Sequence, residues 1–493
     1  MMKTAPTQRF ALVLAALVAT AAAAFGPPRE DGEFYPPAAG EAGVESTPEG
    51  PERPAEAEAP ALERVVFGRV GRPNLPEVAP DHIVVQFRED LPLWQRRQVA
   101  AAAGGTTFKV AASGSFAKVG LAAGDTPHAL ATRLSRLPGI LLAEPDPYAW
   151  GLLDHVALAD TPTDPFVPQQ WSLARIRLPE ARDKNRTEGN GVIVAVLDSG
   201  VAAGSAAAFP DRRGIDLEAT RFLPGLDTVD GGPPFDLGVN PGGGPVRFGH
   251  GTFVAAQIAA AVNNGLAGAG IAPRVTILPV RVIGLNNFAL FSDLAEGIDF
   301  AVAQGAKVIN MSLGGTGDSS LLRAAVERAH RAGVVIVASA GNTADQPNRP
   351  PDVLFPARYP EVIAVGATGF NDQRAPYSDF GAGLDLMAPA GASAATVLGN
   401  GGRDAALAPS FVHDSRTGQT TYAGFFATGT SFAAPQVSGA AALLIALGVR
   451  DPEAVRALLE QHARELRERG RDDQTGHGLL DIAEAHRGLG FAF

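Results

Sequence analysis

Three short stretches place an acid, a base and a nucleophile among small residues. Leu197-Asp198-Ser199-Gly200 ends an apolar run that reads as a strand. In open α/β sheets, sites form beyond the carboxyl ends of strands. Taken alone, Asp and Gly there would also suit an ordinary turn. Gly249-His250-Gly251-Thr252 leads into an alanine-rich run, Phe253 to Val262, that reads as a helix. Its two glycines leave room beside the imidazole for a substrate and a second side chain. A capping or loop histidine would look the same. Gly429-Thr430-Ser431-Phe432-Ala433-Ala434-Pro435 precedes the apolar run Ala440 to Leu447. A serine at a helix start sits among free backbone N–H groups and in a positive field, both of which favour an anion forming beside it. Pro435 falls where early helical N–H groups lack partners, so proline is tolerated. A plain N-cap serine is the alternative for this stretch. Together, in the order Asp, His, Ser, the three stretches supply a nucleophile, its general base and a group to orient that base.

The elements needed to hold such residues are legible. Val192–Leu197, Val275–Val282, Val308–Leu313, Val334–Ala338 and Val362–Val365 are short and almost wholly apolar. Strands apolar on both faces belong to a buried parallel sheet. Between them, Ser292–Ala303 and Ser319–Ala332 read as helices. In the second, Leu322, Ala325, Val326 and Ala329 share one face, and Asp318 or Ser319 is placed to cap it. Asp451–Glu468 reads as a further helix with Pro452 in its first turn. Alternating strand and helix defines an α/β fold, a mostly parallel sheet flanked by helices.

The region before it differs. Strand, helix, two strands, helix and strand follow one another from His82 to Ala143, with Thr126 as an N-cap and a hairpin about Ser113-Gly114. That is the split βαβ order of a small α+β, ferredoxin-like domain. The expected organisation is a signal peptide at 1–24, a Pro/Glu/Ala-rich disordered linker at 25–64, a small domain at 65–150, an exposed connector at 151–163 and the large domain at 164–493. The leader reading rests on Lys3 and Arg9, the apolar stretch Phe10–Val18 and the small residues through Ala24. That stretch is too short to span a bilayer.

The three motifs and their order resemble the subtilisin-like serine protease (subtilase) family over roughly 164–488. Residues 65–150 resemble that family's inhibitor-type propeptide. The resemblance implies a secreted, monomeric serine endopeptidase, extracellular or periplasmic, made as a self-processing zymogen. Ser431 would attack the peptide carbonyl, His250 would act as base and Asp198 would hold the imidazole. Asn342, in Ala340-Gly341-Asn342, would donate to the oxyanion. Ser312-Leu313-Gly314-Gly315 would be the substrate-binding strand, with the glycines clearing the pocket floor. The propeptide's last strand, up to Pro147-Tyr148, would lie near the active site like a product, with cleavage between Tyr148 and Thr163. Val262, Asn264, Leu266 and Gly268 resemble the family's calcium loop, with Asp164 and Asp211 as added carboxylates; a glycine-rich turn without metal is the alternative. The chain departs from the family at Phe253, where many relatives carry histidine, at Phe432, where methionine is usual, and in a longer Gly391–Phe425 stretch.

Composition narrows the remaining choices. The chain has 493 residues, 46% hydrophobic and 19% charged, with a formal net charge of -11. Nothing in that balance favours nucleic acid. With no cysteine there is neither disulfide nor thiolate chemistry. No H-E-x-x-H occurs, and residues 429–433 lack the last glycine of G-x-S-x-G, which sets aside metalloproteases and α/β-hydrolase esterases. A non-catalytic peptide-binding protein on the same fold is the remaining alternative.

Overall fold

Strands that are apolar on both faces must be covered on both. The computed structural model, which describes residues 76–111, 114–153, 155–158, 167–184, 187–202, 216–240, 244–347, 351–399 and 402–490, provides that cover. Its main sheet has eight strands. The order is Leu386–Pro389, Val362–Thr368, Val335–Ser339, Val308–Met311, Ile193–Asp198, Thr276–Arg281 and Arg221–Phe222, with Leu226–Asp227 also paired to Thr276–Arg281. Every pairing in it is parallel. One apolar core includes the helices His250–Ala259 and Ala434–Ala446, the other Phe291–Ala303 and Ser320–Arg331. Ser320–Arg331 buries Leu321, Leu322, Ala325, Val326 and Ala329, and the Ser319 hydroxyl caps it through Leu322 N. The later helix is shorter than its pattern suggests. It runs Pro452–Gln461, capped by Asp451.

The preceding domain is a sheet of Val78–Phe87, Phe108–Val110, Ala117–Gly120 and Ile140–Gly151, with helices Leu93–Ala102 and Pro127–Leu134. Its strands pair antiparallel in the order fourth, first, third, second. Thr126 caps the second helix through Ala129 N. The last strand departs most from expectation. The sequence suggests a short strand ending at Ala143 and an exposed connector starting at 151. The strand instead continues for 12 residues to Gly151, and Trp150, Leu152 and Leu153 are buried. It stays ordered because new partners take over from Val78–Phe87. Tyr148–Trp150 pair with Leu290–Phe288 of the large domain, and Trp150 and Gly151 pair with Gly314 and Leu313. The leader, the linker and Ser113 lie outside the described residues.

The Gly391–Phe425 stretch is strand-rich. Ala406–Asp414 and Gln419–Thr428 form a long hairpin, and Val246–Phe248 and His155–Leu158 add to its two edges. The hairpin leads directly into the serine motif. No described helix is long and apolar enough to cross a membrane.

Candidate active site

The main sheet delivers the site residues at its carboxyl edge. Asp198 is the last residue of its strand, Ser312 follows Val308–Met311 and Asn342 follows Val335–Ser339. His250 opens the helix His250–Ala259. Ser431 sits in a tight turn, Thr430–Phe432, just before Ala434–Ala446, whose first turn holds Pro435.

His250 Nδ1 lies 2.7 Å from Asp198 Oδ1, and both side chains are buried. The same carboxylate oxygen accepts Ser199 N at 2.7 Å. His250 Nε2 has no hydrogen-bond partner. Ser431 Oγ donates to the Ser312 carbonyl at 2.9 Å, while Ser312 Oγ donates back to the Ser431 carbonyl at 2.7 Å. The two family departures pack together here. The Phe432 ring lies 4.5 Å from that of Phe253 and 5.4 Å from the imidazole of His250, measured between centroids.

Asp236 supports this group and had no sequence signal. It is fully buried and accepts Ser199 Oγ, Gly238 N, Thr252 N and Thr252 Oγ1 at 2.7–3.0 Å. Ser199 Oγ in turn accepts Gly251 N. The residues following Asp198 and His250 are thus tied to one carboxylate. Burial pushes its pKa up to about 6, against the pull of its hydrogen-bond donors.

Asn342 binds in two directions. Its Oδ1 accepts Thr430 N and Thr430 Oγ1 at 2.9 and 2.8 Å, which fixes the amide. Its Nδ2 donates to the Leu152 carbonyl at 2.7 Å. Leu152 N points to the Ser312 carbonyl at 3.5 Å. Gly314 and Gly315 leave no room for side chains beside this strand. A Cβ on Gly314 would stand 2.9 Å from Leu354 Cβ and 3.2 Å from Leu152 Cδ1, and one on Gly315 would stand 2.4 Å from the Tyr148 carbonyl oxygen. The absence of side chains there is what admits the incoming strand.

The calcium assignment divides. Asp164 and Asp211 lie outside the described residues. Val262, Asn264, Leu266 and Gly268 form one tight loop in which Asn263 and Gly265 have φ of 57° and 76°. Asn264 Oδ1 accepts Leu266 N, and its Nδ2 meets Asp216 Oδ1 at 2.6 Å. Asp216, buried and unmarked by the sequence, brings a carboxylate to this loop. Carboxylate, amide and carbonyl oxygens are the donors a hard cation takes, so the residues fit calcium. Among the described residues no cluster of three or more His, Cys, Asp or Glu suited to a metal occurs.

Asp198, His250 and Ser431 thus stand at the carboxyl edge of a parallel α/β sheet, with the Asn342 amide set on a peptide carbonyl, and the comparisons give the class. Residues 189–478 match the family model described as the subtilase family, and the chain belongs to that family. It is 34% identical over 330 residues to alkaline elastase YaB of Bacillus sp. (strain YaB), covering 67% of this chain and 72% of that one. It is 35% identical over 304 residues to thermitase of Thermoactinomyces vulgaris, covering 62% and 91%. Among solved structures, a protease from Pseudoalteromonas arctica superposes with TM-score 0.55 at 32% identity, over 67% of this chain and 99% of that one. Fervidolysin of Fervidobacterium pennivorans, described as a keratinolytic enzyme related to subtilisin, gives 0.65 at 25% identity, over 84% and 61%. The chain is a serine-type endopeptidase acting on peptide substrates.

Proposed function

We propose that the chain is a self-processing precursor whose Ser431, His250 and Asp198 hydrolyse peptide bonds, and whose segment from 65 to Leu152 is its first substrate and then its inhibitor. The observation that carries this is the Asn342 Nδ2 to Leu152 carbonyl hydrogen bond, on a strand held antiparallel in the groove. It supports Leu152–Leu153 as the scissile bond. That bond lies inside the Tyr148–Thr163 window and would put the end of the small domain at 152 rather than 150.

In this reading Ser431 Oγ turns from the Ser312 carbonyl to His250 Nε2, which is free to take its proton. Oγ bonds to the Leu152 carbonyl carbon. The oxyanion takes the hydrogen bond of Asn342 Nδ2 and, beside it, that of Ser431 N. His250, held by Asp198, passes the proton to the Leu153 nitrogen as the C–N bond breaks. Water then releases the acyl group by the same route. Leu152 packs with Leu354 and Phe288 of the large domain and with Trp150 of its own strand, so an apolar side chain is accommodated before the bond.

The signal-peptide-like start supports export to an extracellular or periplasmic space. Calcium, held by Asn264, Asp216 and the carbonyls of Val262, Leu266 and Gly268, would be structural. It would tie the loop after the histidine helix to the body of the domain. Excess chelator should then lower the Tm, and an unchanged Tm would remove the ion from the account. The peptidase reading is tested with a covalent serine-hydrolase probe and casein. Wild type should take the probe and digest casein, and Ser431→Ala should do neither. Equal behaviour of the two would instead support a peptide-binding scaffold.

A further inference from the structure

The second residue before the scissile bond, Gly151, meets one side chain in a way its neighbours do not. Asn287 is 2% exposed and lies in the turn before Phe288–Leu290, where Asn287 N donates to the Gly284 carbonyl. Its φ is 66°, in the left-handed region that asparagine tolerates better than most residues. The Asn287 carbonyl faces Gly151 N at 3.4 Å, and Asn287 Nδ2 donates to the Gly151 carbonyl at 3.1 Å. Both polar groups of this one substrate residue are therefore engaged by Asn287.

The other amide atom closes the space. A Cβ at position 151 would stand 2.5 Å from Asn287 Oδ1, with Asn287 Cγ at 3.5 Å and Ile283 Cδ1 at 3.4 Å. Side-chain Cβ atoms do not approach a heavy atom that closely. Relief requires the end of the Asn287 side chain to shift, and its 3.1 Å bond to the Gly151 carbonyl is what opposes that shift. We propose that Asn287 is a specificity-determining residue that restricts the second position before the scissile bond to glycine. This rests on the peptidase reading and deepens it. The enzyme takes substrates of the pattern Gly-Leu before the cleaved bond, and its own Gly151-Leu152 is the first of them.

The test uses the processed enzyme and two internally quenched peptides spanning residues 146–157, one with the natural glycine and one carrying Gly151→Ala. Wild type should cut the glycine peptide with kcat/KM about tenfold or more above the alanine peptide, the scale set by a lost buried hydrogen bond. Asn287→Gly keeps the turn's backbone and empties the space. It should bring the two rates close together, with cleavage still after leucine. In the precursor, Gly151→Ala should slow self-cleavage, and Asn287→Gly should restore it. Equal rates on both peptides by wild type, or an undiminished glycine preference in Asn287→Gly, would overturn the inference while leaving the peptidase reading intact. No cleavage of either peptide by wild type would overturn both.

Discussion

At the scale of single residues, the site joins groups that were legible in the sequence with groups that were not. Asp198, His250, Ser431 and Asn342 stand in short motifs because each must sit at a strand or helix end among small neighbours. Asp236 has no such motif. It acts by accepting bonds from Ser199, Gly238 and Thr252, and nothing local to it signals that role. Asn287 and Leu152 are equally silent, since their meaning comes from a strand that arrives from more than 100 residues away. Asn342 offers the clearest single-residue expectation. Its amide is fixed by Thr430, so Asn342→Ala should remove a donor without unfolding the site. Turnover should fall about 10²–10³-fold, the known cost of losing such an amide in subtilisin, a relative of this chain. KM should change little. A loss under about fivefold would mean that the amide does not meet the developing oxyanion.

At the scale of elements, strands and helices of the large domain could be read from periodicity, because a buried parallel strand and a one-sided helix each leave a plain pattern. The strand Ile140–Gly151 could not be read to its end. Glu144, Pro145, Asp146 and Pro147 look like a break, yet two of them are contact residues. The Glu144 carboxylate accepts Ser319 Oγ, Ser320 N and Leu321 N, occupying free N–H groups at the start of Ser320–Arg331. Asp146, fully buried, accepts Ser292 N and Ser292 Oγ from the large domain and meets His82 Nε2 at 3.0 Å. Nearby, Lys118 pairs with Asp293 at 2.6 Å.

This interface titrates. Burial lowers His82, but its bonds to Asp146 and Asp81 outweigh that and hold it above its ordinary value. Burial pushes Asp293 up to about 6 against the pull of Lys118. His82, Asp81 and Asp146 all belong to the small domain, so those bonds travel with it and do not report on docking. Asp293 belongs to the large domain and meets Lys118 across the interface. Its contribution is present below the ordinary carboxylate range and is lost as pH rises through about 6. In the proposed zymogen, the cleaved segment should therefore leave the processed enzyme more readily as pH rises. Inhibition of the processed enzyme by the separate segment should be tighter near pH 5 than near pH 8. Asp293→Asn should flatten that dependence, and tighter inhibition at the higher pH would contradict it.

At the scale of the whole molecule, one strand belongs to two domains. Its first part completes the sheet of the small domain and its last part fills the groove of the large one. Folding the small domain therefore aims Leu152 at Asn342, and no separate docking segment is needed. Beyond the carbonyl, His155–Leu158 pair with the hairpin strand that ends three residues before Ser431. The chain is thereby held on both sides of the bond that would be cut. The long stretch before the serine motif was legible as an insertion but not as this edge, because its partner lies far away in sequence.

The most direct measurement is the N-terminal residue of the mature protein, read by intact mass and sequencing from purified wild type and from Ser431→Ala. The account predicts that wild type begins at Leu153 and that Ser431→Ala stays uncut at that bond. A wild-type start at another residue, or the same cleavage in Ser431→Ala, would contradict it.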